Sequence, residues 1–190
     1  MTSTISSSDP DDIAQALREG GVVAYPTEAV FGLGCDPQNA KAVACIHQIK
    51  QRSADQGFLL VGAEFRHVEA FIDIKRVPSA VLARAKSSWP GPTTWIFPAS
   101  SIVPKWVMGR HSGIALRVTA HAPAAALCRA FDGALVSTSA NPHGEPPART
   151  LQEALRYFPV ELAAAMDAEV GAALRPTPIM DALTGKVVRE

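Results

Sequence analysis

Short apolar runs alternate with stretches of helical periodicity along the chain, and this alternation limits the fold more than any other feature. Val22-Val23-Ala24-Tyr25, Phe58-Leu59-Leu60-Val61, Ile114-Ala115-Leu116-Arg117-Val118 and Ala134-Leu135-Val136 are too short for helices and read as strands. The helices between them have recognisable ends. In the first, Asp9 caps, Pro10 suits the first helical position, Asp11 and Asp12 favour the positive end of the dipole, and Gly20-Gly21 stop it. Its residues Ile13, Ala16 and Leu17 share one face. A second helix begins near Asn39, carries Val43, Ile46 and Ile49 on one side and ends at Lys50-Gln51-Arg52. Further helices are read from Ala80 to Lys86, from Pro123 to Phe131, and after Thr150, which forms a capping-box pattern with Glu153. Trp89-Pro90-Gly91-Pro92 is a rigid turn feeding a strand through Phe97, and Pro26 to Gly34 reads as a loop that comes close to something. The pattern predicts an α/β or mixed α+β sheet in one domain over 1–190, since no linker divides the chain.

The chain has 190 residues, 47% of them hydrophobic, so it can bury a real core. A disordered chain would be poorer in aliphatic residues and more heavily charged. No apolar run approaches the roughly 20 residues of a membrane-spanning helix. The opening MTSTISSSDPDD lacks the basic end and apolar stretch of a signal peptide, which makes the cytoplasm the expected location. Cys35, Cys45 and Cys128 share no CxxC spacing and fit reduced thiols. The five histidines are scattered without an HExxH pattern, so no protein-built transition-metal site is expected, although a metal can arrive with a substrate.

The 18 basic and 18 acidic residues cancel, but unevenly. Residues 1–40 carry 6 acids and 1 base, residues 41–150 carry 6 acids and 13 bases, and residues 151–190 carry 6 acids and 4 bases. Overall neutrality argues against a polyanion-coating surface and leaves room for a local cationic pocket.

Three clusters carry candidate chemistry: Tyr25-Pro26-Thr27-Glu28, Lys50-Gln51-Arg52 and Ser137-Thr138-Ser139-Ala140-Asn141. Each lies at the end of a predicted strand or helix, where open α/β sheets form their sites. Lys50 and Arg52 at a helix end suit a polyphosphate, or else simply complement the negative end of the helix dipole. The hydroxyls and amide of Ser137 to Asn141 either cradle anion oxygens or make a capping turn. Arg117 interrupts an apolar strand, as the holder of a substrate carboxylate or as half of a structural ion pair. A P-loop and a dinucleotide fingerprint are absent. A serine hydrolase using Ser137 or Ser139 with His121 or His143 has only weak support, without GxSxG.

Taken in order, VVAYPTEAVFGLGCDP, IKQR, SSWPGPTTWIFP, IALRVTAHAP, LVSTSAN with GEPPART, and DALTGKVVR resemble the YrdC/TsaC family of threonylcarbamoyl-AMP synthases. The resemblance implies a YrdC-like, twisted, mostly open sheet around a large concave electropositive cavity, in the short single-domain branch of the family. It implies that L-threonine, bicarbonate or CO2, and ATP give threonylcarbamoyl-AMP and pyrophosphate with Mg2+, for modification of tRNA. Carried over residue by residue, it places Lys50, Arg52, Ser139, Asn141 and Arg189 on ATP, the serine and asparagine in the nucleotide and magnesium region. Around threonine it places Arg117 on the carboxylate, with Thr27, Ser137 and Thr177 supplying hydrogen bonds. Downstream tRNA threonylcarbamoyl-transfer proteins are the implied partners. The chain departs from many relatives at Ala29, where they carry threonine, and at Ser53, where they carry proline. The alternative from another class is an RNA-binding or ribosome-maturation module, with tRNA or double-stranded RNA as its partner, motivated by the basic middle segment. No RNA-stacking aromatic motif accompanies that segment.

Overall fold

In the computed structural model, which describes residues 4–173 and 177–189, the alternation becomes one mixed sheet with helices on both faces. The strands are β1 (Ile5–Ser7), β2 (Val23–Pro26), β3 (Phe31–Gly34), β4 (Leu59–Gly62), β5 (Thr94–Pro98), β6 (Gly113–Val118), β7 (Leu135–Ser139), β8 (Ala164–Met166), β9 (Ile179–Asp181) and β10 (Val187–Arg189). The helices are α1 (Pro10–Arg18), α2 (Ala40–Ile49), α3 (Phe65–Val68), α4 (Ser79–Ser87), α5 (Lys105–Met108), α6 (Ala122–Phe131) and α7 (Leu151–Tyr157). The spatial order is β1-β8-β2-β3-β7-β4-β6-β5-β9-β10. Parallel pairs such as β4 with β6 mix with antiparallel ones such as β3 with β7.

The two-residue period of the strands sorts the core into two layers. Val23, Tyr25, Val61 and Leu135 pack with Ile13 and Leu17 of α1 and Leu127 of α6. Their sequence neighbours Ala24, Leu60 and Val136 pack on the other face with Val43 and Ile46 of α2, Ala85 of α4 and Ala154 of α7. The expected caps form: Asp9 accepts from Asp11 N, Asn39 from Lys41 N and Ala42 N, and Thr150 and Glu153 close a full capping box.

Two segments differ from expectation. Phe31–Gly34 is a strand, not part of a loop: it pairs antiparallel with β2, and the reversal is confined to the Thr27–Val30 turn, where Thr27 N donates to Val30 O at 3.0 Å. Its glycines serve close approach inside the sheet, because a Cβ on Gly34 would lie 2.7 Å from the Tyr25 ring. The hydroxyls of Ser137 to Ser139 stand on β7 itself, paired to β3 and β4, and do not follow it. The strands β1, β8, β9 and β10 have three residues each, and only β8 lies in a longer apolar run, Leu162 to Met166.

Candidate functional site

A cavity of about 580 Å3 opens beside the β2–β3 turn and the ends of β4, β6 and β7, with β9 and β10 closing one side. Seven of the predicted site residues line it: Thr27, Arg52, Arg117, Ser137, Ser139, Thr177 and Arg189. The other two adjoin it through one hydrogen-bond cluster, in which Lys50 Nζ donates to Ser139 O and, at 2.8 Å, to Asn141 O.

At this end, α2 stops at Lys50 and delivers Lys50 and Arg52 toward the end of β7. Lys50 is buried; burial first, and the neighbouring Arg52 second, bring its ammonium down to about 8. Arg52 donates through Nε to Gln56 Oε1 at 2.7 Å, through Nη2 to Gly57 O, and through Nη1 to Thr138 Oγ1 at 3.4 Å. Its guanidinium sits 4.7 Å from the centre of the Phe58 ring. Burial and then the like charge of Arg189, which lines the same cavity from β10, lower the Arg52 pKa. Ser139 Oγ donates to Asn141 Oδ1 at 2.6 Å, and the Asn141 amide donates to Pro142 O and Glu145 O.

The other end is built differently. Arg117, on the buried strand β6, donates through Nη1 to Thr177 Oγ1 at 2.7 Å and lies 3.2 Å through Nη2 from Glu28 Oε2. Thr119 Oγ1 donates to Glu28 Oε1 at 2.7 Å. Arg117 therefore faces the cavity and is half of an ion pair with Glu28. Thr27 Oγ1 is spent on the Val30 carbonyl at 2.7 Å. Ala29 is buried in the cavity wall and offers only a methyl group.

Sequence reading assigned no role to Glu28, Thr119, Thr138 or Phe58. Glu28 and Thr138 stood inside clusters already singled out; Phe58 and Thr119 gave no signal, because only the fold brings them to Arg52 and Glu28. The serine-hydrolase geometry does not form at Ser139, whose hydroxyl bonds to Asn141, while His121 Nε2 faces the Glu169 carbonyl at 3.1 Å. Among the described residues, no group of three or more His, Cys, Asp or Glu is placed to hold a metal ion.

A mixed α/β sheet whose strand ends surround a cavity of nucleotide size, rich in cations and hydroxyls, defines a class of small-molecule-binding α/β proteins. The Sua5/YciO/YrdC family model, described as telomere recombination, matches residues 15–190, and the chain belongs to that family. It is 48% identical over 179 residues to a threonylcarbamoyl-AMP synthase of Coxiella burnetii, covering 94% of this chain and 95% of that one. It is 49% identical over 176 residues to a threonylcarbamoyl-AMP synthase of Methylococcus capsulatus, covering 93% and 94%. Among solved structures, P. abyssi Sua5 complexed with L-threonine superposes with a TM-score of 0.86 at 28% identity, over 95% of this chain and 54% of that one. E. coli YciO shares the fold, with a TM-score of 0.84 at 23% identity over 100% and 96% of the two chains.

Proposed function

We propose that this protein is a threonylcarbamoyl-AMP synthase, a nucleotidyltransferase that makes threonylcarbamoyl-AMP and pyrophosphate from L-threonine, bicarbonate or CO2, and ATP. What carries the reading is the near-half identity, over nearly the whole of both chains, to bacterial proteins of that name. The geometry supports it. The chemistry asks for no enzyme nucleophile: the threonine ammonium gives up a proton to solvent, the neutral amine takes up CO2 as a carbamate with release of a second proton, and a carbamate oxygen attacks the α-phosphorus as pyrophosphate leaves. Positioning and charge stabilisation do the rest.

In this reading Lys50, Arg52 and Arg189 hold the triphosphate, with Ser139 and Asn141 at the nucleotide. Arg117 holds the threonine carboxylate, and Thr27, Ser137 and Thr177 surround the amino acid. Magnesium would come with the nucleotide as MgATP, near Ser139 and Asn141, and would supply neutralisation of phosphate charge. Delivery of the product to tRNA-modifying partners and residence in the cytoplasm belong to the same proposal; no described helix is long and apolar enough to cross a membrane. The RNA-binding module is the less favoured reading, since it leaves the identity to synthases and the Lys50–Arg52 end of the cavity unexplained.

The test is mass detection of threonylcarbamoyl-AMP after incubation with MgATP, threonine and bicarbonate. ATP consumption should require both threonine and bicarbonate. Turnover without threonine, or no product with all three, rejects the reading.

A further inference from the structure

Glu28 and Arg117 face the cavity from different elements with side chains only 12% and 6% exposed, yet their pairing is incomplete. Glu28 Oε2 and Arg117 Nε are buried without a hydrogen-bond partner among the described residues, although Nη2 and Oε2 are 3.2 Å apart. Two charges withdrawn from water with part of their bonding unmade cost stability that their attraction does not fully offset.

Each partner is also steadied from outside the pair. Thr119 holds the other oxygen of Glu28, and Thr177 holds the other nitrogen of Arg117. The backbone beneath Glu28 is fixed as well: Gly171 N donates to Thr27 O, Ala173 N donates to Glu28 O, and a Cβ on Gly171 would lie 2.6 Å from Glu28 O. The pair is thus a fixed cation beside a fixed anion, opening onto a cavity.

We propose that Glu28 receives the α-ammonium of the amino-acid substrate, the Glu28–Arg117 pair parting so that a zwitterion inserts with its carboxylate on Arg117. This rests on the synthase reading and extends it to a residue that the family resemblance did not bring into the site. An α-amino acid brings one charge of each sign, so insertion leaves neither residue unpaired. A ligand with only a carboxylate satisfies Arg117 and strands Glu28 in a buried place. Glu28 therefore selects for the ammonium group.

The experiment titrates the intact protein and Glu28→Gln with L-threonine and with 3-hydroxybutanoate, which lacks the amino group. Thermal melting and ATP affinity monitor the fold. The unmodified protein should prefer threonine, and Glu28→Gln should bind threonine about tenfold more weakly while holding 3-hydroxybutanoate as well as before or better. Equal losses for both ligands, or unchanged threonine affinity, overturn the proposal, the former because it marks Glu28 as merely structural. If Glu28→Gln does not fold, Glu28→Asp replaces it: rejection of 3-hydroxybutanoate with weakened threonine binding supports the proposal, and loss of that rejection overturns it. Failure of the unmodified protein to bind threonine sinks the synthase reading and this inference together; intact wild-type binding with an indifferent variant sinks this inference alone.

Discussion

The two ends of the cavity hold their cations in opposite ways. At one end, Lys50 and Arg52 are surrounded by carbonyl, amide and hydroxyl oxygens, and no described carboxylate bonds to either. At the other, Arg117 is already matched by Glu28. An end with uncompensated cations stores like-charge repulsion that a polyanion relieves. A paired end stores none, and gains only from a ligand that replaces both charges. In the proposed function, the difference separates the end assigned to a triphosphate from the end assigned to an amino acid, with arginine in both.

The sharpest way to break this comparison is to remove Arg117. Arg117→Ala should lower kcat/KM for threonine by about a thousandfold and, by stranding a buried carboxylate, cost roughly 3 kcal/mol of stability. Adding Glu28→Gln should restore most of the melting temperature and none of the activity; a double variant as unstable as the single one would deny that the two residues act as a pair.

At the unmatched end the outcome should differ in kind. Arg52→Ala is expected to lower kcat/KM for ATP about a hundredfold with the melting temperature unchanged or raised, because the lost guanidinium no longer repels Lys50. A large fall in melting temperature would show that Arg52 is structural.

The smallest effect is one of pH. Lys50 has a pKa of about 8 in the folded protein and its ordinary, higher value when unfolded, so between those values the unfolded chain binds more protons and the Lys50 contribution to stability grows as pH rises. Nucleotide affinity should move the other way, since a triphosphate needs the ammonium. The KM for ATP should climb several-fold above about pH 8, and Lys50→Gln should flatten that climb; an unchanged climb in the variant would assign it to another group.

Local chemistry made much of this legible beforehand. Asp9, Asn39 and Thr150 announced helix starts because caps are decided within three or four residues. The same locality located Lys50 and Arg52 at a helix end. Gly34 misled, because a glycine needed for packing against Tyr25 looks in sequence like one needed for a turn. The strands β9 and β10 pair locally but are too short to show a period, while β1 was invisible because its partner lies far along the chain, Ile5 pairing with Ala164. For the same reason Glu28 drew notice as part of a cluster, while its pairing with Arg117 emerged only from the fold.

The place of Arg189 carries a last consequence. It stands on β10, the terminal strand in the sheet order, with exposed side chains and a register irregularity between Val187 and Arg189, whereas the opposite wall rests on the central strands β4, β6 and β7. Amide hydrogens in a marginal outer strand exchange with solvent through small local openings, while those of the interior strands wait for global unfolding. Deuterium uptake read peptide by peptide should therefore be faster in the β10 wall of the cavity than in the wall on β4, β6 and β7, before any substrate is added.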